Sequence, residues 1–170
     1  MIAKPQAGEY PHYFQRYTNL LPDEDILKIM DDYLWQMQQL SNRFSEEAAS
    51  HRYAEGKWCV KEILGHIIDT ERVFAYRGLC FSRNHNVKLP SFDQDEYVEN
   101  ANFMQRTLID LMDEFEYVRN SSISLFKNMN AELLERTGIV SGYELIVRVI
   151  PFIIAGHELH HRLAIEKQFF

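Results

Sequence analysis

The segment VKEILGHIIDTERVFAYRGLCFSR, residues 60–83, has an apolar side chain at nearly every third or fourth position. This spacing follows the 3.6-residue period of an α-helix, so these side chains would form one stripe along it. The stripe consists of Val60, Ile63, Leu64, Ile67, Phe74 and Phe81. Most of the stability of such a helix comes from burying its stripe against other elements. The segment therefore predicts a helix from about Val60 to Arg83 in a helical assembly.

Three further segments have the same helical period. They run from about Asp23 to Phe44, from about Asp95 to Met129, and from near Tyr143 to the C-terminus. Ser141 followed by Glu144 has the pattern of a capping box at the start of the last helix. No segment alternates polar and apolar residues as a half-buried strand does. Four amphipathic helices predict an all-α protein with a four-helix bundle.

The connections between these helices are too long for tight turns. Ser45–Cys59 separates the first two predicted helices, and Asn84–Asp95 separates the second and third. Such lengths permit crossover connections as well as simple up-and-down alternation. We expect one domain over residues 1–170, in which residues 1–22 form an arm that packs on the bundle or on a second subunit. The arm contains Tyr10, Tyr13, Phe14 and Tyr17.

Charge and composition exclude several classes of function. The net charge is −7, with acidic and basic residues interleaved, whereas nucleic-acid binding needs a clustered cationic surface. The first 25 residues lack the pattern of an export signal, and the longest apolar run, Val149–Ala155, is too short to span a bilayer. Cys59 and Cys80 form no disulfide framework. We expect a cytoplasmic protein that binds neither nucleic acid nor membranes.

Three histidines form the candidate metal site. His157 and His161 are four residues apart on the predicted last helix, so both imidazoles project from one side and can bind one ion. A third imidazole from His66 would leave the remaining coordination positions open, as in a catalytic site. One divalent cation, zinc or nickel, would also provide partners for nitrogens buried in an Ile-rich stripe. The alternative is ordinary hydrogen-bonded core histidines, and His160 is a further candidate ligand at the margin of the stripe.

Asp69 and Arg77 are the other candidate site residues. Asp69 follows His66 by three positions and would accept its hydrogen bond or act as a base, unless it belongs to a solvated acidic face. Arg77 would bind an anionic group of a substrate. Its simpler interpretation is an ion pair with a carboxylate of the third helix, such as Asp110 or Asp113.

Two further residues have both a structural and a functional interpretation. Cys59 would cap the second helix, with Glu62 three residues on, and a helix N-terminus could also make its thiol reactive. An inert cysteine is the simpler interpretation. Pro151 lies inside the predicted last helix, where it would remove a backbone hydrogen bond and cause a bend. Such a bend would either be a tolerated irregularity or direct the nearby histidines into a cavity.

Several segments together resemble the DinB-like superfamily, a group of metal-binding four-helix bundles that includes YfiT-type members. They are KWCVKEILGHIIDTERVFAYR (Lys57–Arg77), LPSFDQDEYV (Leu89–Val98), IIAGHELHH (Ile153–His161), EYPHYFQRY (Glu9–Tyr17) and EFEYVR (Glu114–Arg119). The similarity therefore extends over essentially the whole chain. Members of this group usually have serine where this chain has Cys59.

The resemblance implies an up-up-down-down bundle, often dimeric, with a mononuclear nickel, zinc or similar ion on three histidines. These correspond here to His66, His157 and His161. Relatives include transferases that use low-molecular-weight thiols, such as bacillithiol or mycothiol, and metal-dependent hydrolases. The first hypothesis is therefore a metal-dependent enzyme, either a thiol-dependent S-transferase or a hydrolase of a small molecule.

The second hypothesis is a non-catalytic metal-binding or stress-response module that acts as a homodimer. A second apolar strip on the predicted last helix would provide the subunit contact or would contact the N-terminal arm. This strip consists of Leu145, Phe152 and Leu159. The two hypotheses predict different results in a test for metal-dependent activity.

Overall fold

Four long helices form the body of the protein in a computed structural model that describes residues 1–84 and 86–170. They are α2 (Ile26–Ser41), α4 (Val60–Arg83), α6 (Leu108–Lys127) and α8 (Ile150–Phe169). The shorter helices are α1 (Gln15–Thr18), α3 (Glu46–Ser50), α5 (Gln94–Ala101) and α7 (Ala131–Leu134), with 3₁₀ turns at His12–Phe14, Phe103–Gln105 and Val147–Val149. The predicted four-helix bundle is confirmed, and α4 has the predicted bounds. None of the helices in the described part of the chain is both long and apolar enough to cross a membrane.

The helices are arranged so that α2 and α4 occupy opposite corners of the bundle. Each of these two helices packs extensively against both α6 and α8. The first and second long helices are therefore not neighbours, and the connection that contains α3 crosses the end of the bundle. The expectation of a crossover connection is confirmed.

The directions of the helices differ from the expected up-up-down-down order. Gly65 lies against Phe103, just before α6, and Gly78 lies against Phe126 near its end, so α4 and α6 are parallel. Gly78 also lies near Ile150, the first residue of α8, whereas His66 contacts His161, so α8 is antiparallel to α4.

Helix α2 has the same direction as α8. The ring of Phe44, after the end of α2, contacts Phe169 at the end of α8, and the Arg162 guanidinium lies over the Tyr33 ring. The order is therefore up-down-down-up, and the up-up-down-down expectation is wrong. An apolar stripe shows which face of a helix is buried but not its direction, and the segment that contains α5 returns along the bundle before α6 begins.

A small sheet replaces the predicted start of the last helix. β1 (Lys88–Leu89) pairs in parallel with β2 (Thr137–Val140), which pairs antiparallel with β3 (Tyr143–Ile146). Ser141 and Gly142 between β2 and β3 have φ angles of 52° and 84°, the left-handed backbone of a tight hairpin turn. The predicted capping box of Ser141 and Glu144 is therefore wrong. Strands of two to four residues are too short to show alternation.

Two other helix boundaries correct the sequence analysis. Pro151 lies in the first turn of α8, where its missing N–H has no intrahelical partner to lose, so it does not cause the predicted bend. The predicted third helix is divided in two, because Asn102 has a φ of 55° and ends α5. Thr107 then caps α6 by accepting a hydrogen bond from the Asp110 amide.

The apolar strip proposed for a subunit contact is buried within the chain. Leu145 and Phe152 are 2% and 1% exposed, and Leu159 packs against the same cluster. Leu145 moreover belongs to β3 and not to the helix. The strip therefore packs within the chain, in a cluster that also contains Tyr10 and Tyr17 of the arm, and it does not form the expected subunit contact.

A charged cluster connects all four long helices inside the core. The fully buried guanidinium of Arg119, on α6, donates to both carboxylate oxygens of Glu71 on α4 at 2.9–3.1 Å. It also donates to Glu158 on α8 at 2.9 Å and to the Met30 carbonyl on α2 at 2.7 Å. Removal of one partner from such a cluster leaves a buried charge without compensation, which is strongly destabilising. Arg119 therefore fixes the relative positions of the helices that carry the histidines.

Candidate metal centre

Three imidazoles from two helices converge inside the bundle. The Nε2 atoms of His66 and His157 are 3.0 Å apart. The ring centroids of His161 lie 4.9 Å from His66 and 4.5 Å from His157. One ring nitrogen of each residue lies within 4.8 Å of the corresponding atoms of the other two. The structure thus brings together the three histidines that the sequence singled out, which we call the histidine trio.

Helix geometry and close packing account for this convergence. His157 and His161 lie one turn apart on α8, and the antiparallel α4 brings His66 opposite them. Gly156 lets the N-terminal arm lie directly on α8, because a Cβ at this position would come within 2.4 Å of the Tyr17 carbonyl oxygen. The Tyr17 ring then contacts the His157 ring at a centroid distance of 5.3 Å. The arm therefore covers one side of the trio.

Burial keeps the trio in the uncharged form that binds metal ions. Desolvation lowers the pKa of His66 from 6.5 to about 4. The pKa of His161 is lowered to about 3, mainly by desolvation and to a smaller extent by repulsion from neighbouring cationic groups. The same causes lower the pKa of His157 well below its usual value. All three imidazoles are consequently neutral at pH 7, with a nitrogen lone pair free to bind a metal.

The donor set fits one divalent ion. Nitrogens that share an ion at about 2.0–2.1 Å must lie roughly 3.0–3.4 Å apart. The 3.0 Å separation of the His66 and His157 Nε2 atoms agrees with this requirement. The nitrogens of the whole trio lie within 4.8 Å of one another, so the His161 ring would have to move slightly closer to bind the same ion. Three neutral imidazoles suit borderline ions such as zinc or nickel, and they leave further coordination positions for water or substrate.

On α4, the side chain that contacts the trio is Thr70 and not the predicted Asp69. The Oγ1 atom of Thr70 lies 3.4 Å from Nδ1 of His66, a contact that helps to orient the ring. Thr70 was not among the predicted site residues, although its i+4 position relative to His66 could have indicated it. Asp69 instead lies 3.7 Å from Arg72, and burial raises the pKa of its carboxyl. The structure records no contact between Asp69 and His66.

The other candidate residues lie outside the trio. His160 is exposed and contacts the rings of Tyr17 and His161. Cys59 caps α4, where its backbone N–H donates to the Glu62 carboxylate at 2.9 Å. Burial raises the pKa of the Cys59 thiol, which opposes the reactive interpretation.

A cavity of about 810 Å³ opens next to His157. Its walls come from the arm, α4, the segment before α5, and the β2–β3 hairpin. The lining residues are Pro11, His12, Tyr13, Phe14, Tyr17, Thr70, Phe74, Arg77, Ser91, Phe92, Asp93, Gln94, Val140, Ser141, Tyr143, Leu145 and His157. Of the trio, His157 lines the cavity, so a small molecule bound there would lie beside the candidate metal site.

Arg77 lies in the wall of this cavity and does not form the expected ion pair. Its Nη2 atom donates to the Pro90 carbonyl at 3.3 Å. Asp110 pairs instead with Arg106, and none of the ion pairs in the described part of the chain includes Arg77 or Asp113. The simpler interpretation of Arg77 is therefore wrong.

Known proteins resemble this chain in both sequence and fold. A protein of Oceanobacillus iheyensis named "Putative metal-dependent hydrolase" is 26% identical over 145 residues, which cover 81% of this chain and 82% of that protein. YfiT from Bacillus subtilis, described as "a probable metal-dependent hydrolase with an unusual four-helix bundle topology", superimposes with a TM-score of 0.79 at 11% identity. The match covers 98% of this chain and 91% of YfiT.

A second solved structure has the same fold. The mycothiol-dependent maleylpyruvate isomerase matches with a TM-score of 0.68 at 9% identity, over 86% of this chain and 61% of the isomerase. The sequence profile of the DinB superfamily matches residues 12–165, a range that includes the histidine trio and all of the bundle except the last residues of α8. The chain belongs to the DinB superfamily.

Proposed function

We propose that the protein is a metal-dependent enzyme that acts on a small molecule, with one divalent ion on His66, His157 and His161. The observation that carries the proposal is the convergence of three imidazoles inside the bundle, one of which, His157, lines a cavity. Buried nitrogens need partners, and one ion would satisfy the trio while leaving positions open for chemistry. The names of the relatives, two of which refer to metal-dependent hydrolases, agree with this proposal.

The protein's own side chains would hold and shield the centre. The Tyr17 ring covers His157, and the Trp58 ring lies 4.9 Å from the His66 ring, so aromatic groups exclude water from two sides. Thr70 orients the His66 ring through Nδ1. When bound, zinc or nickel supplies Lewis acidity, which lowers the pKa of a coordinated water or thiol.

Two reactions are consistent with this centre: hydrolysis, and transfer to a low-molecular-weight thiol. The mycothiol dependence of the structurally similar isomerase supports the second reaction. The protein's cysteines do not supply the thiol, because Cys59 is buried with a raised pKa and Cys80 does not line the cavity. A thiolate would therefore come from a cosubstrate.

Metal reconstitution with paired variants tests the proposal. Chelator-treated protein would be reloaded with zinc, nickel, cobalt or manganese and assayed for thiol conjugation to electrophiles and for ester and amide hydrolysis. We expect activity with at least one ion and its loss in His157→Ala. His160→Ala is the matched control, because His160 is on the same helix but outside the trio.

Equal activity with and without metal, or full activity of His157→Ala, would contradict the proposal. Stoichiometric metal without any activity would favour the non-catalytic module instead. The homodimer implied by the resemblance stays a prediction, and sedimentation velocity of the untreated protein tests it.

A further inference from the structure

We propose that the cavity next to the histidine trio binds small molecules with an anionic head group, a carboxylate or a phosphate, and that Arg77 binds this group. The proposal deepens the function proposed above and rests on it, because it defines the class of substrate that would be held beside the trio. The head group would lie against α4, and the rest of the molecule would extend towards His157.

Arg77 differs from the other buried arginines. In the part of the chain that the structure describes, four arginine side chains are buried: Arg77, Arg119, Arg148 and Arg162. In the last three, the guanidinium lies within ion-pair distance of at least one carboxylate. Among the described residues, Arg77 is the only buried arginine without such a partner.

Without a carboxylate partner, the buried charge of Arg77 is energetically unfavourable. Arg77 is 5% exposed, so its charge has little contact with water. Burial lowers the pKa of the guanidinium, but arginine does not lose its proton in proteins. Its hydrogen bond to the Pro90 carbonyl satisfies one donor, and none of the described carboxylates forms an ion pair with the guanidinium. An anion in the cavity would compensate this charge, and the planar fork of donors matches a carboxylate or a phosphate.

The acidic side chain that lines the cavity already has hydrogen-bond partners. Asp93, the only acidic residue among those that line the cavity, accepts hydrogen bonds from the Asp95 and Glu96 amides at the start of α5. Its side chain caps that helix at the exposed rim of the cavity. It therefore does not occupy the position of a ligand on Arg77.

The distance along α4 limits the size of the ligand. Thr70 and Arg77 both line the cavity and are seven residues apart, which corresponds to about 10 Å along the helix axis. Thr70 contacts His66, so it marks the end of the cavity nearest the trio. A molecule that spans this distance would be of metabolite size, with its anionic group remote from its reacting group.

The walls between these two ends are mainly aromatic. The Arg77 guanidinium itself lies 4.9 Å from the Phe74 ring centroid and 5.7 Å from that of Phe92. The other aromatic residues of the lining are Tyr13, Phe14, Tyr17 and Tyr143. These surfaces suit an apolar or unsaturated body, so the ligand class is an amphipathic organic anion.

Binding of matched probes to the chelator-treated protein tests the proposal. The panel contains phenyl and alkyl carboxylates, such as 3-phenylpropionate, the corresponding amides, and the corresponding phosphate monoesters. Isothermal titration calorimetry would measure each affinity for the wild-type protein and for Arg77→Gln. The matched control is Arg83→Gln, an exposed arginine on the same helix that does not line the cavity.

We expect the anions to bind about tenfold or more tightly than the amides in the wild-type protein and in Arg83→Gln, and this preference to disappear in Arg77→Gln. The relative affinities of carboxylates and phosphates identify the head group. If no probe binds, if acids and amides bind equally, or if the preference survives in Arg77→Gln, the proposal is overturned. The wild-type titrations alone decide the preference if the variant does not fold.

Thermal unfolding distinguishes ligand binding from a purely structural role. If Arg77 mainly anchored the Pro90 segment, Arg77→Gln would lower the melting temperature of the ligand-free protein. We expect the melting temperature to be unchanged or higher, because an uncompensated buried charge is removed. These binding measurements need no metal, so they test the anion site separately from the enzymatic activity. A preference for anions in a protein without metal-dependent activity would refute only the proposed function. Metal-dependent activity in a protein without a preference for anions would refute only the proposal of an anion site.

Discussion

Acidification should destabilise the metal-free protein through the histidine trio. The folded-state pKa of His66 is about 4, against 6.5 for an unperturbed histidine. Between these two values the unfolded chain binds a proton that the folded chain excludes. Stability is therefore fully present above about pH 6.5 and is lost as the pH falls towards 4.

The size of the effect follows from the same pKa values. One pH unit corresponds to about 1.4 kcal/mol per group, and the interval from 6.5 to about 4 gives a loss of roughly 3 kcal/mol from His66 alone. His161 extends the loss further, because its pKa is about 3. About one pH unit below 6.5, where the unfolded chain is almost fully protonated at these positions, the three histidines would together contribute up to about 4 kcal/mol per pH unit. A typical domain is stable by only about 5–15 kcal/mol.

Urea unfolding of chelator-treated protein, at several values between about pH 7 and pH 5, measures this slope. At the acidic end of this range, His161→Asn should reduce the slope by about 1.4 kcal/mol per pH unit relative to the wild-type protein. His51→Asn, which replaces an exposed histidine outside the trio, should leave it unchanged. A stability that is constant over this range, or equal slopes for the wild-type protein and His161→Asn, would refute the reasoning.

Three further predictions concern the scaffold. Arg119→Met should lower the free energy of unfolding by about 3–5 kcal/mol, measured in urea, because two buried carboxylates lose their cation; an unchanged midpoint would contradict this. Gly156→Ala should release the arm from α8, because its Cβ would clash with the Tyr17 carbonyl, and limited trypsin digestion should then cleave the arm faster than in the wild-type protein. In Cys80→Ser, where Cys59 is the only thiol, the thiol should react with Ellman's reagent only after unfolding, and fast labelling of the native variant would show that the burial of Cys59 is wrong.

The features that depend on helical periodicity were the ones best predicted from the sequence. The period of the apolar residues gave the bounds of α4, and the i,i+4 spacing of His157 and His161 placed both on one face of α8. The convergence of His66 with them depended on tertiary packing, and the sequence could only suggest it. Periodicity carries no information about direction, which is why the up-down-down-up order was missed.

The short strands and the partners of the buried arginines could not be predicted from the sequence. The β2–β3 hairpin is too short to alternate visibly, and its strongest signal was the Ser141-Gly142 turn. The burial of Arg119 and the isolation of Arg77 depend on which carboxylates approach them in three dimensions. Sequence spacing alone therefore gave Arg77 the wrong partner.

Metal content is the most direct test of the central claim that three imidazoles hold one ion. Protein purified without chelator would be analysed by inductively coupled plasma mass spectrometry, alongside His157→Ala and His160→Ala. We predict about one divalent ion per chain in the wild-type protein and in His160→Ala, and its loss in His157→Ala. Wild-type protein without stoichiometric metal, or His157→Ala with a full complement, would contradict the account.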